Sequence, residues 1–235
     1  MRDAVETQWI DLDGSGRFQA YLALPPARKG PGIVLFQEIF GVNAHIQAVA
    51  RQYALDGFVV LAPDLFWRQE QKVQLGYAGD DMARALAMMK QLDGGELEAD
   101  CRAAAQALRD RAETTGQPIA SLGYCLGGRL AYLSASMGLV DAAVAYYGGG
   151  IHDQLDRAAS ITCPMLFHYA ENDGNIPLTA VEKVRETMGS RADVFVYPGA
   201  THGFNCWDRG SYDPPSAVSA HGRTLSFLAG HLFSA

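Results

Sequence analysis

The chain has 235 residues, 49% of them apolar and 19% charged, with a net charge of −7. That is the balance of a folded chain long enough for a full core; it excludes intrinsic disorder, and the acidic sign without a basic patch excludes non-specific nucleic-acid binding. No apolar run approaches the roughly 18 residues of a membrane span, and Met1-Arg2-Asp3-Ala4-Val5-Glu6 carries acids and no apolar h-region, so no membrane segment or signal peptide is expected and the cytoplasm is the expected compartment.

Apolar strands are predicted at 18–24 and 32–37, on either side of a turn from Pro25-Pro26 to Pro31-Gly32. A helix over 44–56 ends at Gly57, and a strand over 58–62 stops at Pro63-Asp64. The stretch from Phe66 to Asp80 has no periodicity, which suits either a lid or a solvated connection. Helical spacing follows over 80–92 and 96–113, split by Gly94-Gly95. Then come a strand at 119–123, a helix at 127–137, strands at 142–147 and 164–169, a helix at 178–188, a strand at 193–197 and a helix at 215–232. Strands alternating with helices imply an α/β fold, with a mostly parallel central sheet covered by helices on both faces, in a single domain over 1–235. There is no internal repeat.

Gly123-Tyr124-Cys125-Leu126-Gly127-Gly128 joins the strand Ile119-Ala120-Ser121-Leu122 to the helical Arg129-Leu130-Ala131-Tyr132-Leu133. A nucleophile on so sharp a turn sits in a strained conformation, and side chains larger than hydrogen beside it would block the turn. The pattern is that of the nucleophile elbow of an α/β-hydrolase, with a cysteine in the place usually held by serine. Asp173 follows the apolar Met165-Leu166-Phe167, and His202 follows Val194-Phe195-Val196-Tyr197. The order Cys, Asp, His, each in a loop after a predicted strand, matches the order of that fold, and open α/β sheets place their sites at that edge.

The loop Gln37-Glu38-Ile39-Phe40-Gly41-Val42-Asn43 follows the strand Ile33-Val34-Leu35-Phe36. In this fold such a loop supplies one oxyanion donor, here the Ile39 N–H, and the residue after the nucleophile, Leu126, supplies the other. Glu38 is out of place in such a loop, because its charge would oppose the developing oxyanion; it must be protonated, paired or turned away. Of the remaining cysteines, Cys101 and Cys163 read as packing residues. No Cys-x-x-Cys pair exists, and His202 with Cys206 is too few ligands for a metal. Phe40, Trp67 and Phe204 are candidates to line a substrate pocket. His168 reads as a core histidine, and His45, His152, His221 and His231 as surface or packing residues.

Gln37-Glu38-Ile39-Phe40-Gly41-Val42-Asn43, Ala62-Pro63-Asp64-Leu65, the Cys125 elbow, Tyr146-Tyr147-Gly148 and Gly199-Ala200-Thr201-His202-Gly203-Phe204 together resemble the dienelactone hydrolase family, the carboxymethylenebutenolidases. The resemblance implies a triad of Cys125, His202 and Asp173, with Glu38 holding the resting thiol and helping to deprotonate it. It also implies an arginine four residues after the histidine, which binds the substrate carboxylate; this chain has Cys206 there. A second such arginine aligns with Met82. Arg68, Arg84 and Arg209 are the candidate replacements. The expected activity is hydrolysis of a lactone or ester by the cysteine, on a small-molecule substrate, with no metal or organic cofactor, in a monomer or dimer. The alternatives are a broader carboxylesterase or thioesterase that needs no substrate carboxylate, and a non-hydrolytic thiol protein using Cys125 as a redox sensor.

Overall fold

The computed structural model describes residues 4–233, and its backbone separates into two units, one ending at Ile119 and the other beginning at Ala120. The first unit opens with a strand absent from the sequence reading, β1 (Glu6–Asp11), which pairs antiparallel with β2 (Gln19–Leu24). β1 is largely exposed and carries few apolar residues, so it lacks the apolar run that marks a buried strand. The further strands are β3 (Gly32–Phe36) and β4 (Val59–Pro63), and the order is β1-β2-β4-β3. β2 and β4 run antiparallel, β3 and β4 parallel. β3 and β4 are buried from end to end, as continuous apolar runs of a doubly covered sheet should be.

Helix α1 (Ala44–Leu55) provides the crossover between β3 and β4, and the Asn43 side chain caps it by accepting from Ile46 N. α2 (Gly79–Met89) and α3 (Gly94–Arg109) follow. The glycine pair at 94–95 does not break a helix; it begins one. Asp93 caps α3 by accepting from the Glu96 N–H, and a good cap offsets the low helix propensity of two glycines. The predicted helix to 113 instead ends at Arg109, and a separate 3₁₀ turn covers Ala112–Thr114.

The second unit alternates regularly: β5 (Ile119–Tyr124), α4 (Leu126–Ser136), β6 (Ala142–Tyr146), β7 (Met165–Ala170), α5 (Leu178–Met188), β8 (Ala192–Tyr197) and α6 (Pro214–Leu232). All neighbouring pairs are parallel, in the order β5-β6-β7-β8. The register aligns Tyr124 with Tyr146, Tyr146 with His168, and Ala170 with Tyr197. Cys125, Tyr147, Asp173 and His202 therefore all emerge at one carboxyl edge. Beneath them runs a buried polar chain. Tyr146 OH meets Thr224 Oγ1 at 2.6 Å, Thr224 Oγ1 meets His168 Nε2 at 2.9 Å, and His168 Nδ1 meets Tyr197 OH at 2.8 Å. Burial, followed by the charge of Arg223, drives the His168 pKa down to about 3. His168 is therefore the neutral core histidine expected of it, with both ring nitrogens satisfied.

Candidate active site

Cys125 adopts φ 55° and ψ −114°, left-handed backbone for a residue with a side chain, at a cost of order 1–3 kcal/mol. The surrounding glycines explain how the turn is built. A Cβ at Gly123 would lie 2.0 Å from Gly127 O, and one at Gly128 would lie 2.6 Å from Tyr146 O and 2.9 Å from Gly148 Cα. No side chain fits at either place, so α4 can start directly against the ends of β5 and β6. The Cys125 N–H donates to Tyr146 O at 3.0 Å, and Gly128 N donates back to Cys125 O at 3.0 Å. Leu126 is the first residue of α4, and its N–H has no intrahelical acceptor; it points out at the positive end of the helix. Gly123→Ala is expected to lower stability by about 3 kcal/mol, the upper range for overpacking, or roughly 10 °C in Tm for a chain of this size. A melting temperature within about 2 °C of wild type would show that the turn relaxes and that the glycine is dispensable.

His202 is joined to Asp173 by a 2.8 Å bond from Nδ1 to Oδ2, and the Asp173 side chain is fully shielded from solvent. The other carboxylate oxygen accepts from Asn175 N at 2.8 Å. The two loops are tied to each other by backbone as well: Asn172 N donates to Ala200 O at 2.9 Å, and Gly199 N donates to the Glu171 carboxylate at 2.8 Å. Glu171 is thus spent on the loop, and Asp173 is the carboxylate that faces the imidazole. Burial pulls the His202 pKa down, but hydrogen bonds to Asp173 and to the Cys125 thiol, with the charges of both groups, outweigh it and raise it to about 10. Both the carboxylate and the sulfur beside it therefore favour the charged form of the imidazole.

A match to the model of the dienelactone hydrolase family covers residues 18–232 and so spans both units. The chain belongs to the dienelactone hydrolase family. It is an ester or lactone hydrolase resembling carboxymethylenebutenolidase. A carboxymethylenebutenolidase of a Pseudomonas species is 34% identical over 222 residues, covering 93% of this chain and 92% of the relative. Carboxymethylenebutenolidase 1 of Cupriavidus pinatubonensis is 31% identical over 232 residues, with 97% of each chain covered. Among solved structures, a Klebsiella pneumoniae protein classed by its name with the dienelactone hydrolases superposes with a TM-score of 0.85 at 28% identity, covering 97% of this chain and 99% of that one. The fold is accordingly that of the α/β-hydrolases.

Several further side chains of this dienelactone hydrolase surround these candidate residues. Tyr147, which the sequence reading treated only as part of a motif, has φ 36°, and its ring meets the His202 imidazole edge-on with centroids 5.0 Å apart. A strained non-glycine residue beside a catalytic candidate is a functional signal, but the sequence alone does not show its backbone angle. Phe204 is fully buried between Tyr147 and Tyr197, at 5.4 and 4.9 Å. It braces the histidine loop. The Arg209 guanidinium lies over that same loop, since a Cβ at Gly203 would come within 2.5 Å of its Nη1. Cys206 is buried in the next turn.

In the first unit, Glu38, Ile39 and Phe40 are all buried, and Phe40 packs edge-on against Tyr77 at 4.5 Å. Trp67 stacks on Phe18 at 5.2 Å and carries the Arg68 guanidinium over its ring at 4.3 Å. Arg68 forms a two-pronged pair with the buried Asp100, at 2.6 and 2.9 Å, and Arg84 pairs with Glu70. Both of these arginines hold carboxylates of the protein itself. Among the described residues no helix is long and apolar enough to cross a membrane.

Proposed function

We propose that Cys125 is the nucleophile of a Cys-His-Asp triad that cleaves lactones or esters through a thioester. The observation that carries this reading is the His202 imidazole, held by Asp173 on one nitrogen and hydrogen-bonded to the elbow thiol. The imidazolium stabilises the Cys125 thiolate, which attacks the substrate carbonyl. The Leu126 N–H, at the start of α4, receives the developing oxyanion. In this reading the second donor is the Ile39 N–H, as the α/β-hydrolase pattern of the sequence implies. His202 then gives its proton to the leaving alkoxide, which stays tethered when the substrate is a lactone. The neutral imidazole next takes a proton from water, the resulting hydroxide attacks the thioester, and the thiolate leaves to restore the starting pair. Glu38 serves the resting thiol, as the family resemblance implies. An intact relay of three groups favours turnover over redox sensing, for which a reactive thiol alone suffices.

Substrate charge follows from the arginines. With Cys206 in the usual arginine position, and Arg68 and Arg84 engaged with Asp100 and Glu70, the enzyme accepts neutral esters and lactones about as well as carboxylated ones. The test compares kcat/KM for a carboxylated lactone with that for its methyl ester, expected to lie within about tenfold, or 1.4 kcal/mol. A preference of about 100-fold, roughly 2.7 kcal/mol, that disappears in Arg209→Gln would instead make Arg209 the carboxylate-binding cation.

A further inference from the structure

The Ala62-Pro63-Asp64-Leu65 segment takes no part in the chemistry above, yet it carries a buried carboxylate. Asp64 is 1% exposed. One oxygen accepts from Phe66 N at 3.1 Å and the other from Lys72 N at 2.5 Å. These bonds close the chain from 66 to 72 into a loop, and Lys72 holds left-handed backbone, φ 55°, at the closing point. The residues just beyond are fastened to the loop over 37–43. Leu75 N donates to Phe40 O at 2.9 Å, and the Asn43 Nδ2 donates to Leu75 O at 3.0 Å. Gly41 pairs with Gln74, and a Cβ at Gly41 would lie 1.8 Å from Val73 O. At the other end, Leu65 N donates to the Gln37 side-chain oxygen, Oε1, at 3.3 Å. The irregular stretch after Phe66 is therefore a clamp on the 37–43 loop, fixed at both ends, and not a free lid.

We propose that Asp64 is a positioning residue that sets, through this clamp, the backbone of the loop carrying Glu38 and Ile39. The proposal rests on the reading of the Ile39 N–H as an oxyanion donor. Burial raises the Asp64 pKa to about 6, against the pull of the two N–H groups and the Lys72 ammonium; Asp100, itself paired with Arg68, adds to the rise. A carboxylate kept in so unfavourable a place is held there by the backbone groups it serves.

Asp64→Asn keeps the shape but turns an amide N–H₂ toward a backbone N–H, so one of the two fastenings is lost. Two rates separate positioning from stability: turnover of p-nitrophenyl acetate, which develops an oxyanion, and alkylation of Cys125 by iodoacetamide at about pH 9.5, which does not and where a thiol ionises without help from Glu38. In Asp64→Asn, kcat is expected to fall tenfold or more while the alkylation rate stays within twofold of wild type. Asn43→Asp keeps the α1 cap and removes the donation to Leu75, so it should give the same split and replaces Asp64→Asn if that variant does not fold. A kcat loss smaller than tenfold, or alkylation falling in parallel with kcat, overturns the clamp. Wild-type protein without turnover, or Cys125→Ala with wild-type turnover, overturns the nucleophile assignment and the clamp with it. Turnover abolished in Cys125→Ala but kept in Asp64→Asn overturns the clamp alone.

Discussion

Cys125→Ala is expected to give a folded protein whose turnover of p-nitrophenyl acetate is lower by about 10⁴-fold or more, the scale on which triads lose activity when one member is removed. The fold should persist because the turn depends on the hydrogens at Gly123 and Gly128, and not on the side chain between them. Thiol labelling supplies an independent reading. Cys101 and Cys206 are buried, and burial pushes the Cys163 thiol up to about 11, so at neutral pH these three react slowly. Iodoacetamide should label the wild type rapidly at a single position and leave Cys125→Ala unlabelled on the same timescale. Substantial activity in Cys125→Ala would end the triad assignment.

Asp173→Asn should lower kcat by about 10³–10⁴-fold, because the amide favours the wrong imidazole tautomer and withdraws the charge that supports the imidazolium. It should also change how stability depends on pH. The His202 pKa is raised from 6.5 to about 10 in the folded protein, so between those values the native chain keeps a proton that the unfolded chain releases. The stabilisation is complete below about pH 6.5 and is lost as pH climbs through about 10. Wild-type Tm should therefore decline between pH 7 and pH 10 by a component that is smaller in Asp173→Asn, where only the sulfur still favours the proton. Acylation, which needs the imidazolium as acid, should fade over the same alkaline range. Equal pH slopes in the two proteins would mean that the proton is held elsewhere.

The elbow turn, and the strand ends that carry Asp173 and His202, are legible in the sequence because each is marked by its own neighbouring residues. A sharp strand-to-helix turn demands glycines at fixed offsets, and Asp173 and His202 follow strands that are apolar runs. The parallel half of the fold was legible for the same reason: β5 to β8 are each flagged by their own residues. What escaped depends on partners distant in sequence. β1 is an exposed edge strand whose only signature is its pairing with β2. Arg68 reads as a free cation until Asp100, 32 residues on, is placed against it. The stretch after Phe66 reads as a lid until its backbone is seen bonded to Phe40 and Asn43. Gly94 and Gly95 read as a break between helices until the Asp93 side chain is seen to cap a helix that begins with them.

The division of labour at the elbow has a practical corollary. The shape of the turn resides in main chain and hydrogens, whereas the reactivity proposed for it resides in one atom of one side chain. Sulfur can therefore be exchanged for oxygen, as Cys125→Ser, on an otherwise superimposable scaffold. Such a pair is a controlled comparison of thiol and alcohol chemistry within one protein, and any difference in rate or in substrate range belongs to the element itself.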